Sequence, residues 1–290
     1  MPRAWSTAAR QPPSEKREEP VTILVTGFGP FLEKYPRNTS WEIASTLPAL
    51  LPASQDNPTP IHIRVHHAPV RVAYDNVLEL VPSLLPPTNK LYPTPSIILH
   101  IGLAAGRTFY TLENGAHGRG YGAIPDVDGG RFTDKAAEEH FPPSEFPTAL
   151  QTSFQSEDVL ERWRTNLGYG TPHSDDLKEL KPDVRISQDA GNFMCGFIYW
   201  NSLAHYFSLK QDERPVMFLH VPDLTTEDGG KSVEEKLKVG REVAIALIKA
   251  LVESKRTKGI IDAAGRSRVM TEEEEVGKER AAAGTDVNFA

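Results

Sequence analysis

Val21–Gly27 reads VTILVTG and Ser96–Gly102 reads SIILHIG. Each is a short run of Val, Ile and Leu closed by a glycine, without the polar alternation that marks a strand with one wet face. Strands buried on both faces read this way, and they belong to parallel sheets covered by helices on either side. The neighbouring segments fit that frame. A helix is expected at about Ser40–Leu51, with Trp41, Ile43, Ala44 and Leu47 apolar. Ile61–Val70 alternates Ile61, Ile63 and Val65 with polar partners, the pattern of a half-buried strand, and residues 72–85 (VAYDNVLELVPSLL) read as a helix. Further on come a strand in DVRISQD, a helix in GNFMCGFIYWNSLAHYF, a strand in PVMFLHVPD and a long amphipathic helix over Ser232–Glu253. That last helix opens with Ser232 and Glu235 at the S-x-x-E spacing of a capping box. Strands alternating with helices predict an α/β fold with a parallel or mixed sheet covered on both faces.

Outside this frame the chain changes character. Residues 1–20 are polar, charged and Pro-containing and are expected to be disordered. From Arg131 to about Pro182 the pattern lapses into Pro, Ser, Thr and charge, an excursion with one helix near Asp158–Leu167. Beyond Glu253 the chain becomes charged, and residues 255–290 are expected as a loosely held tail with no second core. The expectation is one α/β domain over 21–254.

Composition excludes several classes. The 290 residues hold one cysteine, so neither an internal disulfide nor a Cys-rich zinc site is possible. A net charge of −7 without a basic stripe argues against nucleic-acid binding, which needs clustered Lys and Arg. No run of eighteen apolar residues suggests a membrane span, and the first twenty residues lack the apolar stretch of a secretory signal. The cytoplasm is therefore the expected compartment. The 24 prolines, about 8 per cent against roughly 5 per cent on average, predict long, rigidly punctuated loops.

In open α/β sheets functional residues gather at the carboxyl ends of strands. That rule selects Phe28–Phe31, Gly102–Glu113, Asp189–Cys195 and His220–Asp223. Cys195 follows Gly191 and Asn192; if either caps the helix, the thiol lies in its first turn, where unpaired N–H groups and the helix dipole favour a thiolate. A small buried thiol packed on the sheet is the alternative. His220 follows the apolar strand PVMFL and is placed to serve that thiol as base and a leaving amine as acid; a core histidine bonded to a backbone carbonyl is its alternative. The other histidines have weaker claims: His66 and His67 face opposite ways, His100 is mid-strand, and His205 lies about 15 Å from Cys195 by helical rise. A carboxylate should orient the imidazole, and Glu113 and Asp189 both qualify. Gly27–Phe31 is not a phosphate loop, since it has no G-x-G-x-x-G or G-K-S/T and Pro30 lacks an N–H. Phe28 and Phe31 are better placed to wall an apolar slot, with ordinary packing against the next helix as the alternative.

Four blocks in order, LVTGFGPF with NTSWEIA, IGLAAGRTFYTLEN, SQDAGNFMCGFIYW and FLHVPD, resemble the pyroglutamyl peptidase I family of cysteine peptidases. The resemblance implies a three-layer α/β/α sandwich with a mostly parallel, mixed sheet. It places the family's catalytic glutamate, nucleophile and base on Glu113, Cys195 and His220. It places aromatic positions around the substrate's lactam on Phe28, Phe31 and Phe193, and a pocket asparagine on Asn38. The implied substrates are peptides with an N-terminal pyroglutamate, cleaved through a thioester without metal or cofactor; no oligomeric state is implied. Three positions depart from the pattern. Leu103 stands for a glutamine in the substrate pocket, Asn114 for the arginine after the glutamate, and Ala123 for a common arginine before Ile124-Pro125-Asp126. Two other readings remain: a degenerate homologue acting as a binding module, and another Cys-His-Glu amide hydrolase such as a glutamine amidotransferase.

Overall fold

In the computed structural model the described residues are 19–31, 36–54, 57–88, 93–170, 181–209, 213–226 and 230–258. Segments 1–18 and 259–290 lie outside them; of the loose tail expected over 255–290, residues 255–258 are instead the last turn of the long helix Val233–Lys258. The capping box at Ser232 is present, with Glu235 accepting from the Ser232 N–H and the Ser232 hydroxyl accepting from the Glu235 N–H.

A seven-stranded sheet runs in the order β2-β3-β1-β4-β9-β5-β8. Its strands are β1 (Val21–Gly27), β2 (Leu50–Leu51), β3 (Ile61–Val65), β4 (Ile97–Leu103), β5 (Tyr110–Glu113), β8 (Val184–Ser187) and β9 (Val216–Val221). The β3, β1, β4 and β9 pairings are parallel; β2 and β5 join antiparallel, and β8 runs parallel to β5. A separate antiparallel pair joins β6 (Gly115–His117) to β7 (Ala149–Gln151).

Alternation along each strand divides the core in two. Ile23, Val25, Leu99, Ile101, Met217 and Leu219 face α1 (Thr39–Ala44), α4 (Ser156–Asn166) and α6 (Val233–Lys258). Leu24, Ile98, Val216 and Phe218 face α2 (Tyr74–Leu84) and α5 (Met194–Ser208), with α3 (Asp134–His140) on the same side. The result is a three-layer α/β/α arrangement with a mixed, mostly parallel sheet. Because β9 alternates, His220 points to the α5 side, where Cys195 also lies.

Several boundaries differ from expectation. The first helix stops at Ala44, and Leu50–Leu51, expected within it, pairs with β3 as an edge strand. Strand β3 ends at Val65, after which Val70 only bridges to Phe28. The 131–182 excursion carries α3, β7 and α4, and Phe154, Val159 and Trp163 from it are wholly buried on the sheet. Its exposed polar residues lie on the outer faces of short elements and Thr152, Ser153, Ser156 and Asp158 are buried among them, a polar composition that masked the few large side chains that dock it. Glu113 closes β5, a four-residue strand that the glycines of residues 102–130 concealed in the sequence. Among the described residues no helix is long and apolar enough to cross a membrane.

Candidate active site

The approach to Cys195 is a tight turn. Gly191 has φ +83, a left-handed conformation that favours glycine, and its N–H donates to Asp189 Oδ1 at 3.1 Å. The turn presses against α5 so closely that a Cβ at Gly196 would fall 1.8 Å from the Gly191 carbonyl oxygen. The cap itself is Phe193, in extended conformation and without a side-chain cap bond, rather than Gly191 or Asn192. The first helical bond runs from the Phe197 N–H to the Phe193 carbonyl at 2.9 Å, which leaves the N–H groups of Met194, Cys195 and Gly196 outside the ladder. Cys195 is thus in the first turn, as expected.

The sulfur rests over the sheet at Gly102. A Cβ built on that glycine would lie 2.8 Å from Cys195 Sγ, so only glycine leaves this space open. Gly102 pairs with His220 in the β4–β9 register, which brings imidazole and sulfur together. On its other side His220 Nδ1 lies 2.7 Å from Glu113 Oε1, the carboxylate being wholly buried. Asp189, the rival carboxylate, is instead engaged with the Gly191 N–H and stands 3.5 Å from His117 Nε2.

Two further residues hold the carboxylate. Arg107 Nη1 donates to Glu113 Oε1 at 2.8 Å and to Thr111 Oγ1 at 2.5 Å, and the Thr111 hydroxyl donates to the same Oε1 at 2.8 Å. The Tyr199 hydroxyl donates to the Glu113 carbonyl at 3.0 Å. Burial pushes the Glu113 pKa up, but His220 and Arg107 outweigh it and hold it below the usual carboxylate range. Burial likewise works against a charged His220. Cys195 and then Glu113 overcome it, and the imidazole pKa is pushed up to about 9. The arrangement stores an imidazolium at neutral pH beside a sulfur.

A cavity of about 300 Å³ opens at this point, a size at the lower end of small-molecule sites. Phe28, Phe31, Asn38, Leu103, Phe193, Cys195 and His220 all line it, so every expected site residue except Glu113 reaches its wall. Glu113 stands behind His220. The Phe31 and Phe193 rings lie 6.4 Å apart at a tilt of 47°, and Tyr74 meets Phe193 edge-on at 6.3 Å. Asn38 has a structural task as well as a place in the wall. Its Nδ2 donates to the Gly29 carbonyl at 2.9 Å and its Oδ1 accepts from the Ser40 hydroxyl at 2.8 Å, while that hydroxyl accepts from the Phe28 N–H at 2.9 Å. It therefore fixes the Phe28–Phe31 loop.

Of the departures, only Leu103 faces the cavity. Asn114 ties β5 to its neighbours, bonding Gln188 at 3.0 Å and the Ser156 hydroxyl at 2.7 Å. The carbonyls of Gly122 and Ala123 accept from Arg131 Nη1. Arg107, Thr111 and Gly102 were missed as functional residues in the sequence. Arg107 and Thr111 could have been found from their i−6 and i−2 spacing to Glu113 once β5 is read as a strand, since alternation puts Thr111 and Glu113 on one face. Among the described residues no group of three or more His, Cys, Asp or Glu is placed to hold a metal ion.

Comparison with known proteins decides the family. Human pyroglutamyl-peptidase 1 is 31% identical over 203 residues, covering 70% of this chain and 79% of that protein. The chain belongs to the pyroglutamyl peptidase I family. A pyrrolidone-carboxylate peptidase of Bacillus mycoides is 24% identical over 245 residues, 78% of this chain and 96% of that protein. The family's fold is shared as well: a pyrrolidone carboxyl peptidase of Pyrococcus furiosus superposes with a TM-score of 0.55 at 21% identity, covering 80% of this chain and all of that one. Pyroglutamyl peptidase I of Bacillus amyloliquefaciens gives 0.54 at 20% identity, covering 80% and 97%. No protein-family model matches the chain.

Proposed function

We propose that this protein is a cysteine exopeptidase that hydrolyses the bond after an N-terminal pyroglutamate, with Cys195, His220 and Glu113 as its catalytic residues. The observation that carries this reading is the 2.7 Å bond from Glu113 to His220 Nδ1 beneath Cys195, at the wall of a mostly apolar cavity. Glu113 occupies Nδ1 and leaves Nε2 for the sulfur and the substrate. The lactam is flat, small and neutral, so the aromatic faces of Phe28, Phe31 and Phe193 can hold it with few polar contacts.

The Cys195 thiolate attacks the carbonyl that joins pyroglutamate to the next residue. The Cys195 N–H and a neighbouring N–H receive the negative charge that develops on its oxygen. The C–N bond breaks as His220 imidazolium protonates the leaving amine, and a thioester remains on Cys195. Neutral His220 then takes a proton from water, the hydroxide attacks the thioester, the C–S bond breaks, and pyroglutamate leaves with the thiolate–imidazolium pair restored. An amino-terminal ring that fills the slot restricts the enzyme to the chain end. The reading takes residues 21–254 as one catalytic unit and places it in the cytoplasm, where a thiol nucleophile stays reduced.

Turnover of a fluorogenic pyroglutamyl amide by the reduced protein, with and without Cys195→Ser, tests the reading. Cleavage that the substitution abolishes is expected. Binding of pyroglutamyl peptide without turnover would make the protein a binding module, and cleavage of other amides in its place would make it a different Cys-His-Glu hydrolase.

A further inference from the structure

Arg107 lies on the connection between β4 and β5, with a quarter of its side chain exposed at the cavity wall. The three donors on the Glu113 carboxylate, from Arg107, Thr111 and His220, all converge on Oε1. Ser187 from β8 also helps lower the Glu113 pKa, and its hydroxyl donates to the Asp189 carbonyl at 3.1 Å. A carboxylate with no solvent exposure stays ionised when a nearby cation and hydrogen-bond donors compensate it, and here the donors besides the cations come down to the Thr111 hydroxyl.

His220 is such a cation for only part of the cycle. Once it has protonated the leaving amine it is neutral, and it must remain a base on Nε2 until water arrives. In that interval Arg107 is the one cation in contact with Glu113 among the described residues. Were Glu113 to take up a proton, it would donate to Nδ1, the imidazole proton would sit on Nε2, and no lone pair would face the water.

Resting on the reading above, we infer that Arg107 is a positioning residue: it keeps Glu113 ionised while His220 is neutral and so holds His220 in the Nδ1–H tautomer that thioester hydrolysis requires. The other groups facing this pair are Thr111 from β5, Ser187 from β8, and Cys195 and Tyr199 from α5. Asp189 acts on Tyr121 and Arg214 on Tyr199, and neither shifts Glu113 or His220.

The test compares Arg107→Met and Arg107→Lys in the full chain, using burst and steady-state cleavage of a fluorogenic pyroglutamyl amide and the pH dependence of Cys195 alkylation by iodoacetamide without substrate. Arg107→Met is expected to slow thioester hydrolysis about 10–100-fold, part of what proton transfer contributes, so that a burst precedes slow turnover. It should also move the acid limb of alkylation up by about one pH unit, because losing a nearby positive charge favours protonation. Arg107→Lys, which keeps the charge, should recover most of both. The inference is overturned if Arg107→Met alkylates and deacylates like the parent, if its loss is confined to KM, or if both variants lose activity equally with a lowered Tm. Retained cleavage in Cys195→Ser would defeat the catalytic reading instead, while the alkylation profile would still report on Arg107.

Discussion

His220 and Glu113 meet at 2.7 Å across the antiparallel β9–β5 pair although 107 residues separate them in the chain. The register sets Thr111 opposite His220 and Glu113 opposite Phe218, so the bond is a diagonal one between side chains on the same face. The geometry thus depends on β5 running against the parallel strands.

Glu113→Gln keeps the shape of this diagonal and removes its charge. Activity on pyroglutamyl amide should fall about 10³–10⁴-fold, the scale seen when the orienting carboxylate of an acyl-transfer triad is made an amide. The pH profile adds a sign. His220, with its pKa near 9, supplies the proton for the leaving amine, so kcat/KM should fall as pH rises through about 9. Without the carboxylate the imidazolium is less favoured, and that basic limb should move to lower pH. A limb that stays in place would count against the assigned pairing.

Gly102→Ala tests the seat of the nucleophile. The new Cβ would lie 2.8 Å from Cys195 Sγ and 2.5 Å from Phe218 Cζ, both too close without movement. Overpacking of this kind costs about 1–3 kcal/mol. The expected outcome is a folded protein with a lower Tm and at least a tenfold loss of kcat, a loss that comes from displacement of the thiol. Full activity in Gly102→Ala would show that the sulfur is not held over this glycine during catalysis.

The parallel strands and their covering helices were legible because Val21–Gly27 and Ser96–Gly102 are dense in Val, Ile and Leu without polar alternation, Cys195 opens an apolar helical run, and His220 follows the apolar strand PVMFL. What escaped were elements whose signal is short or mixed. Tyr110–Glu113 has four residues, one of them a buried charge, and glycines nearby, so local pattern favours a loop while pairing to both β9 and β8 makes it a strand. Leu50–Leu51 continues a helical apolar spacing but is claimed by the β3 edge, a tertiary choice that propensity does not encode. Arg107 escaped for the same reason as Glu113's strand: its role is visible only once β5 brings Thr111 and Glu113 beneath it.

Phe193 serves as a wall of the slot and as the residue that caps α5. Phe193→Leu keeps an apolar side chain there but removes the flat ring that neighbours Phe31 at 6.4 Å. The expected result is a rise in KM for pyroglutamyl amide of about tenfold, equivalent to about 1.4 kcal/mol, with kcat changed much less. An unchanged KM would place the lactam elsewhere in the cavity.

His100 predicts how the fold responds to acid. It is wholly buried between the Thr26 hydroxyl, 2.7 Å from Nδ1, and the Ser202 hydroxyl, 2.9 Å from Nε2, and so links β1, β4 and α5. Burial lowers its pKa from 6.5 to about 3. Between those values the unfolded chain binds a proton that the folded chain refuses, so stability falls as pH drops from about 6.5 towards 3, by up to about 1.4 kcal/mol per pH unit. His220 acts in the opposite sense above its unfolded pKa: with its pKa raised from 6.5 to about 9 it is already protonated in the folded chain at pH 7, so it adds stability as pH falls from 7 towards 6.5 and changes little below that, partly offsetting the His100 loss in the parent. Urea unfolding at pH 7 and pH 5 should therefore show a loss of about 2 kcal/mol from His100. His100→Gln, which can still bond both hydroxyls, should be less stable at pH 7 and have a shallower slope. In the parent protein the His100 imidazole should remain neutral by NMR at pH 5, and a protonated His100 in the folded state at that pH would sink the prediction whether or not the variant folds.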